Sequence, residues 1–437
     1  MKKIIAFVAL ISFAVAGCKT GEKKDNSVSF NTLAEKYVRL GLTIGQYDGD
    51  FVDAYYGPDS LKPISVKSDV FPKDSLLRAV REMLSEFKPF TDSVAANDTL
   101  RRRAIWISRQ LTAFERRIKI FSGEFASFDE EATDLFSVKV PVYPESHYQS
   151  LVKQLDSLLP GKGSIPDRVQ ALSAKFIIPK GKVDTVFKTA IEEARKRTKE
   201  HYPLPAGETF TLEYVTNKPW SGYNWYKGNY NSVIQINLDL PIYVDRAIDL
   251  ACHEGYPGHH VYNMLLEKNL YRDKGWVEIS LYPLFSPQSL IAEGSANYGI
   301  DVAFPGTEGN EFAKKVLMPL AGLDTMNADL YFKILAVKSA LNYARNEAAR
   351  GILNKSMDDK EVLRWLTDYC LMSKLVAEKS VSFIQKNRSY VICYNYGQDL
   401  IKNYVESNGG NKNNPAKRWE LFGWLLSNPV TPPELGR

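Results

Sequence analysis

HEGYPGHH, residues 253–260, holds three of the five histidines of a 437-residue chain. His253-Glu254 opens the pattern H-E-x-x-H, in which two histidines one helical turn apart hold a zinc ion on the same face of a helix. Here the place of the second histidine is taken by Pro257, and histidine returns only at positions 259 and 260. On a straight helix, residues six apart differ by roughly 240° around the axis, and residues seven apart are separated by about 10 Å of rise. Neither His259 nor His260 could then join His253 on one ion, which needs nitrogens at about 2.1 Å. Pro257 argues against a straight helix, because it removes the hydrogen bond to the carbonyl of residue 253 and crowds that turn. Gly258 beside it tolerates backbone angles that other residues avoid. Pro-Gly therefore predicts a kink or bulge at the point where two extra residues must be absorbed, a feature common at functional sites. On this reading His253 and His259 are the preferred ligand pair, and Glu254 lies beside the metal as general base for a bound water. His260 is either the ligand in place of His259 or a donor behind it. The competing reading is a kinked helix whose histidines are ordinary hydrogen-bonded groups.

A zinc enzyme with two histidine ligands needs a third protein ligand and an open position. The stretch SPQSLIAEGSANYGIDVAF supplies a candidate. Ser286 and Pro287 look like an N-cap and a first turn. Leu290, Glu293, Asn297 and Ile300 then share a face, so a carboxylate interrupts an apolar stripe. A buried carboxylate needs a partner, and a metal is a good one. The small residues around Glu293 predict close approach of a neighbouring helix.

Outward from these motifs the chain divides by pattern. Segments such as DSLLRAVREMLSEF and RRRAIWISRQLTAFERRIKIF carry apolar residues at three- and four-residue spacing, which predicts a helical N-terminal subdomain over residues 30–204. YDGDFVDAYYGPDS within it reads as a turn-rich loop without an assignable role. Residues 205–437 form the expected catalytic subdomain. TFTLEYVT and SVIQINLDL alternate like strands, with WYKGNYN as the turn between them. Val244, Ala247, Ile248 and Ala251 make a helical face leading into His253 and Glu254. SVIQINL, if exposed, could pair with an extended peptide; the equal alternative is an internal strand of the sheet. The fold class expected is mainly α with a small central sheet and an active-site cleft. With 44% hydrophobic and 24% charged residues, and a net charge of only +5 without clustering, nothing calls for nucleic acid.

The N-terminus reads as an export signal. MKK precedes the apolar IIAFVALISFAVAG, which is too short to span a bilayer and suits a signal-peptide core over residues 1–17. VAGC resembles a bacterial lipobox, implying cleavage before Cys18, lipidation of that residue, and residence in the cell envelope on a lipid anchor. Residues 18–29 would then be a polar tether. The three other cysteines, Cys252, Cys370 and Cys393, are expected as buried free thiols.

HEGYPGHH followed by EGSANY resembles the bacterial family known as domain of unknown function 885, whose members read roughly H-E-x-x-P-G-H-H, E-G-x-A-x-Y and a late S-Y-x-x-G. The resemblance runs from about residue 221 to the end. It implies a zincin-like, mostly helical fold of the glutamate-ligand zinc metallopeptidases, with one zinc ion on His253, His259 and Glu293 and with Glu254 activating water. In the late motif, Cys393 stands where serine is usual, followed by Tyr394 and Gly397, and Arg388, Ser389 and Tyr390 replace Pro-Gly-Gln. Tyr394 is the candidate donor to a tetrahedral oxyanion, with Tyr396 and Tyr298 behind it. Arg345, Arg350 and Arg388 are candidates for holding a substrate carboxylate. Together these point to a membrane-anchored zinc peptidase acting on peptides. The alternatives are an inactive peptide-binding lipoprotein on the same fold, or a zinc hydrolase of another amide or ester.

Overall fold

A computed structural model describes residues 26–64, 67–92, 99–218 and 220–436. The stretch expected as signal peptide and lipobox, with Cys18, lies outside the described residues. The chain is mainly helical with two small sheets. The helix Asn26–Gly45 begins inside the stretch expected as tether. Lys73–Thr91 and Thr99–Phe121 follow the predicted periodicity. The first buries Leu76, Leu77, Val80, Met83 and Phe87, and the second buries Ile107, Leu111, Phe114 and Ile118. These spacings of three, four and seven keep one stripe facing the core.

The loop-like YDGDFVDAYYGPDS contains a strand, β1 (Val52–Tyr55). The sequence around 205–240 gives three more: β2 (Thr209–Val215), β3 (Gly222–Gly228) and β4 (Asn231–Asn237). WYKGNYN is therefore mostly strand rather than turn. The turn is only Asn229-Tyr230, both at positive φ (53° and 62°), the two-residue geometry whose twist matches a hairpin. The sheet order is β2-β4-β3, with β2 parallel and β3 antiparallel to β4. This decides between the two readings of SVIQINL in favour of the internal strand: β4 is in the middle, its backbone groups already paired on both sides, so β2 and β3 are the edges. A fifth strand, β5 (Leu281–Pro283), pairs antiparallel with β1.

That pairing joins residues far apart in sequence, and buried ion pairs join other distant segments. Arg103 holds Glu278 with bonds of 2.6 and 2.9 Å, and Arg388 holds Glu131 with two of 2.7 Å. Tyr56 donates to the carbonyl of Ile279 at 2.9 Å. Each arginine fork meets both carboxylate oxygens, the geometry that offsets the cost of removing two charges from water. Cys252, Cys370 and Cys393 are buried and unbridged.

Candidate metal centre

The helix Val244–Leu250 carries the predicted apolar face, with Val244, Ala247 and Ile248 buried. It continues into a π-helical turn over Ala251–Gly255. Tyr256 N–H bonds the carbonyl of Ala251 at 3.0 Å, and Gly258 N–H reaches that of Cys252 at 2.9 Å. Widened bonds of this kind absorb the two extra residues before the helix His259–Leu266 starts. Tyr256–Pro257 is a cis peptide. Gly258 is required by space: a Cβ there would lie 2.0 Å from the carbonyl oxygen of His253 and 2.3 Å from that of Cys252.

The bulge brings His253 and His259 together, with their Nε2 atoms 3.2 Å apart. Glu293 comes from the helix Pro287–Ala303, where Pro287 occupies the first turn as expected while the Ser286 hydroxyl bonds the Pro283 carbonyl instead of capping. Its Oε2 lies 3.3 Å from His253 Nε2 and 3.6 Å from His259 Nε2. Among the described residues these three form the one group of His, Cys, Asp and Glu side chains placed to share an ion. The helix of Glu293 is crossed closely by the helix Ile392–Ser407, because Gly294 and Gly397 face each other: a Cβ on Gly294 would meet the Gly397 backbone at 2.4 Å.

Surrounding groups fix the orientation of the cluster. Asn297, one turn beyond Glu293, donates its amide to the Tyr394 carbonyl at 2.8 Å, so its oxygen accepts from His253 Nδ1 at 2.9 Å. That places the His253 proton on Nδ1 and leaves Nε2 as a lone pair facing Glu293 and His259. Tyr390 donates to Glu293 Oε1 at 2.9 Å. Glu293 Oε2 is buried without a hydrogen-bond donor. Burial acts to raise the Glu293 pKa, yet the charges of His259 and His253 beside it hold it well below the usual carboxylate range. Burial acts to lower that of His253, but the charges of Glu254 and Glu293 beside it raise it.

The residues present fit zinc. Ligand atoms at about 2.1 Å in a tetrahedron lie about 3.4 Å from one another, which the three edges of 3.2, 3.3 and 3.6 Å bracket. The donor set of two imidazoles and a carboxylate suits the same ion. An orphaned buried carboxylate oxygen is also what a cation would satisfy.

Glu254 is buried, and its Oε1 lies 3.0 Å from where a Cβ on Gly222 would stand, so β3 passes directly against it. Asn224 on β3 donates to the Glu254 carbonyl at 2.7 Å. Tyr394 packs edge-on against Tyr390, with ring centroids 5.8 Å apart. Burial, together with the charges of Glu293 and Glu254, pushes its phenol pKa well up. Tyr298 and Tyr396 lie elsewhere: Tyr298 packs on Phe422, and Tyr396 neighbours Tyr143 and Asp399. His260 is separate from the cluster. Its Nδ1 is 2.8 Å from Ser232 Oγ and its Nε2 is 3.1 Å from Glu208 Oε2.

Two groups near the centre escaped the sequence reading. Tyr390 lies four residues before Tyr394, a spacing that puts both on one helical face and could have flagged it. Asp53, on β1, accepts from Tyr223 on β3. Its pKa rises to about 6, chiefly through burial; the Tyr223 hydrogen bond and His259 lower it, while Glu293 and Glu254 raise it. Only the long-range pairing of β1 brings it there, and no local pattern announces that.

No family model and no curated protein matches the chain. Solved structures do. The chain is similar to a candidate lipoprotein from Colwellia psychrerythraea, at 13% identity over 83% of this chain and 68% of that one, with a TM-score of 0.52. The two share a fold. A candidate lipoprotein of unknown function from Shewanella oneidensis matches at 14% identity over 82% of this chain and 73% of that one, with a TM-score of 0.43. An M32 carboxypeptidase from Deinococcus radiodurans matches at 11% identity over 94% of both chains, with a TM-score of 0.42. Among the described residues no helix is long and apolar enough to cross a membrane.

Proposed function

We propose that this chain is a zinc-dependent peptidase of the bacterial envelope, anchored by a lipid on Cys18. The observation that carries the reading is the triangle of His253 Nε2, His259 Nε2 and Glu293 Oε2, with the last buried and without a hydrogen-bond donor. His253, His259 and Glu293 would hold a zinc ion, which would supply Lewis acidity for a scissile carbonyl and for a water at neutral pH. Glu254, next to His253, takes the proton from the attacking water and returns it to the leaving amine. The Tyr394 phenol, kept protonated by its surroundings, donates to the oxyanion that develops on the carbonyl. Asn297 fixes the His253 tautomer, and Tyr390 keeps the second oxygen of Glu293 occupied so that the first faces the histidines. An extended peptide is the substrate class this suits: β3 is an edge strand running past Glu254, and its backbone groups can pair with a peptide of any sequence. The motifs shared with the domain of unknown function 885 family agree with the same chemistry.

The test is made on the full-length protein purified in detergent. About one zinc per chain is expected after reconstitution, none in Glu293→Ala, and hydrolysis of a mixed peptide library that Glu254→Gln abolishes. A wild-type protein that takes up no zinc refutes the reading.

A further inference from the structure

Most buried or half-buried arginines of this chain have an acceptor for the guanidinium. Arg103, Arg117 and Arg388 grip Glu278, Asp48 and Glu131. Arg350 is paired with Asp129 and Glu347, and Arg418 donates to the carbonyls of Gly410 and Asp301. Of the three arginines singled out in the sequence as carboxylate binders, Arg350 and Arg388 are therefore already engaged. Arg345 is not. Its Nε donates to Ser380 Oγ at 3.0 Å, and its guanidinium lies 4.8 Å from the Phe383 ring centre. Among the described residues no carboxylate pairs with it, and its two Nη nitrogens bond nothing yet are not enclosed.

The position of Arg345 is fixed relative to the metal centre by a short chain of contacts. Asn342 and Asn346, on either side of it in sequence, both engage Asn395: the Asn395 amide donates to the Asn342 carbonyl at 3.3 Å and to Asn346 Oδ1 at 3.0 Å. Asn395 follows Tyr394, whose carbonyl is held by Asn297 of the Glu293 helix. Arg345 is near enough to the Tyr394 phenol for its charge to oppose the rise in that phenol's pKa. The remaining charges about the centre are negative: Glu254, Glu293 and Asp53, with Arg246 tied to Asp249. Among the described residues, a half-buried cation near Tyr394 with no carboxylate partner is thus the place there that favours an anion. Its planar fork matches a carboxylate in two parallel bonds.

We propose that Arg345 holds the C-terminal carboxylate of the substrate peptide, so that the site trims peptides from their free C-terminus. This rests on the peptidase reading above. Water adds across a peptide bond near that end: its oxygen goes to the acyl carbon, the C–N bond breaks, and the proton ends on the released amine.

The experiment measures binding and cleavage separately on the full-length protein in detergent. Binding to the metal-free protein is followed by calorimetry with a short peptide as free acid and as C-terminal amide. The free acid should bind about 10- to 100-fold more tightly. Arg345→Gln should erase the difference, and Arg345→Lys should restore part of it. Equal binding of acid and amide to the wild type, or discrimination kept in Arg345→Gln, overturns the assignment. An amidated peptide with an internal Asp or Glu that binds as well as the free acid moves the contact to an acidic side chain and also overturns it. With zinc restored, cleavage of acid and amide at the same rate speaks against Arg345 alone. Discrimination in binding with no peptide cleaved speaks against the peptidase reading alone.

Discussion

On one side of the helix His259–Leu266, His260 has both ring nitrogens on protein partners, Ser232 and Glu208. Glu208 is in turn bonded by Tyr256 at 2.6 Å and by Arg195 at 2.9 Å. On the other side, His259 has its Nε2 against the nitrogen of another histidine and near a carboxylate oxygen that no donor reaches. The two histidines are adjacent in sequence and chemically identical. One belongs to a closed network, which rigidifies the bulge; the other belongs to an open one, which calls for a cation. Adjacent histidines are told apart by what the opposite faces of one helix find.

The largest effects should come from deleting the open side. His259→Ala and Glu293→Ala are expected to lower zinc from about one per chain to none, measured by elemental analysis after reconstitution, whereas His260→Ala keeps its zinc. Loss of metal in the His260 variant but not the His259 variant would invert the comparison. Next, Glu254→Gln should lower kcat by about 10²- to 10⁴-fold while leaving zinc content unchanged. Asn297→Ala and Tyr390→Phe disturb only the groups that orient ligands, and competition with a chelator should show zinc affinity reduced about 10- to 100-fold. The closed side should register in stability instead. His260→Ala leaves a buried carboxylate one donor short and is expected to cost about 1–3 kcal/mol in denaturant unfolding.

The smallest and most specific effect is on acid stability. Burial would raise the Glu208 pKa, but hydrogen bonds from His260, Tyr256 and Arg195 bring it from 4.5 down to about 2. A carboxyl depressed in the folded state contributes stability that is complete above about 4.5 and is lost as the pH falls through about 2. The unfolding free energy should therefore fall over that window, and more gently in His260→Ala. Equal slopes in the two proteins would remove Glu208 from the account.

Much of this centre was legible in the sequence, because its parts obey local rules. Pro257 and Gly258 announce a bulge, and a carboxylate at position 293 interrupts an apolar stripe. The choice between His259 and His260 was not legible. It depends on Ser232 and Glu208, which arrive from β4 and from the segment before β2, and no helical periodicity encodes them. The place of SVIQINL within its sheet was not legible for a similar reason: alternation shows that a segment is a strand but not how many neighbours it has. Asp53 was hidden most completely, since it is one of four aspartates in YDGDFVDAYYGPDS and acquires its neighbours only through β1 and β5.

That pairing also bears on how the molecule is made. Tyr56 and Ile279, joined by a hydrogen bond, are 223 residues apart in the chain. At roughly 5–20 residues per second, a ribosome takes on the order of tens of seconds to deliver the second after the first. Throughout that interval β1 has no partner and Arg103 has no Glu278. The nascent first half is therefore a client for whatever factors hold unfinished chains, and the centre cannot close until the chain has been delivered past β5.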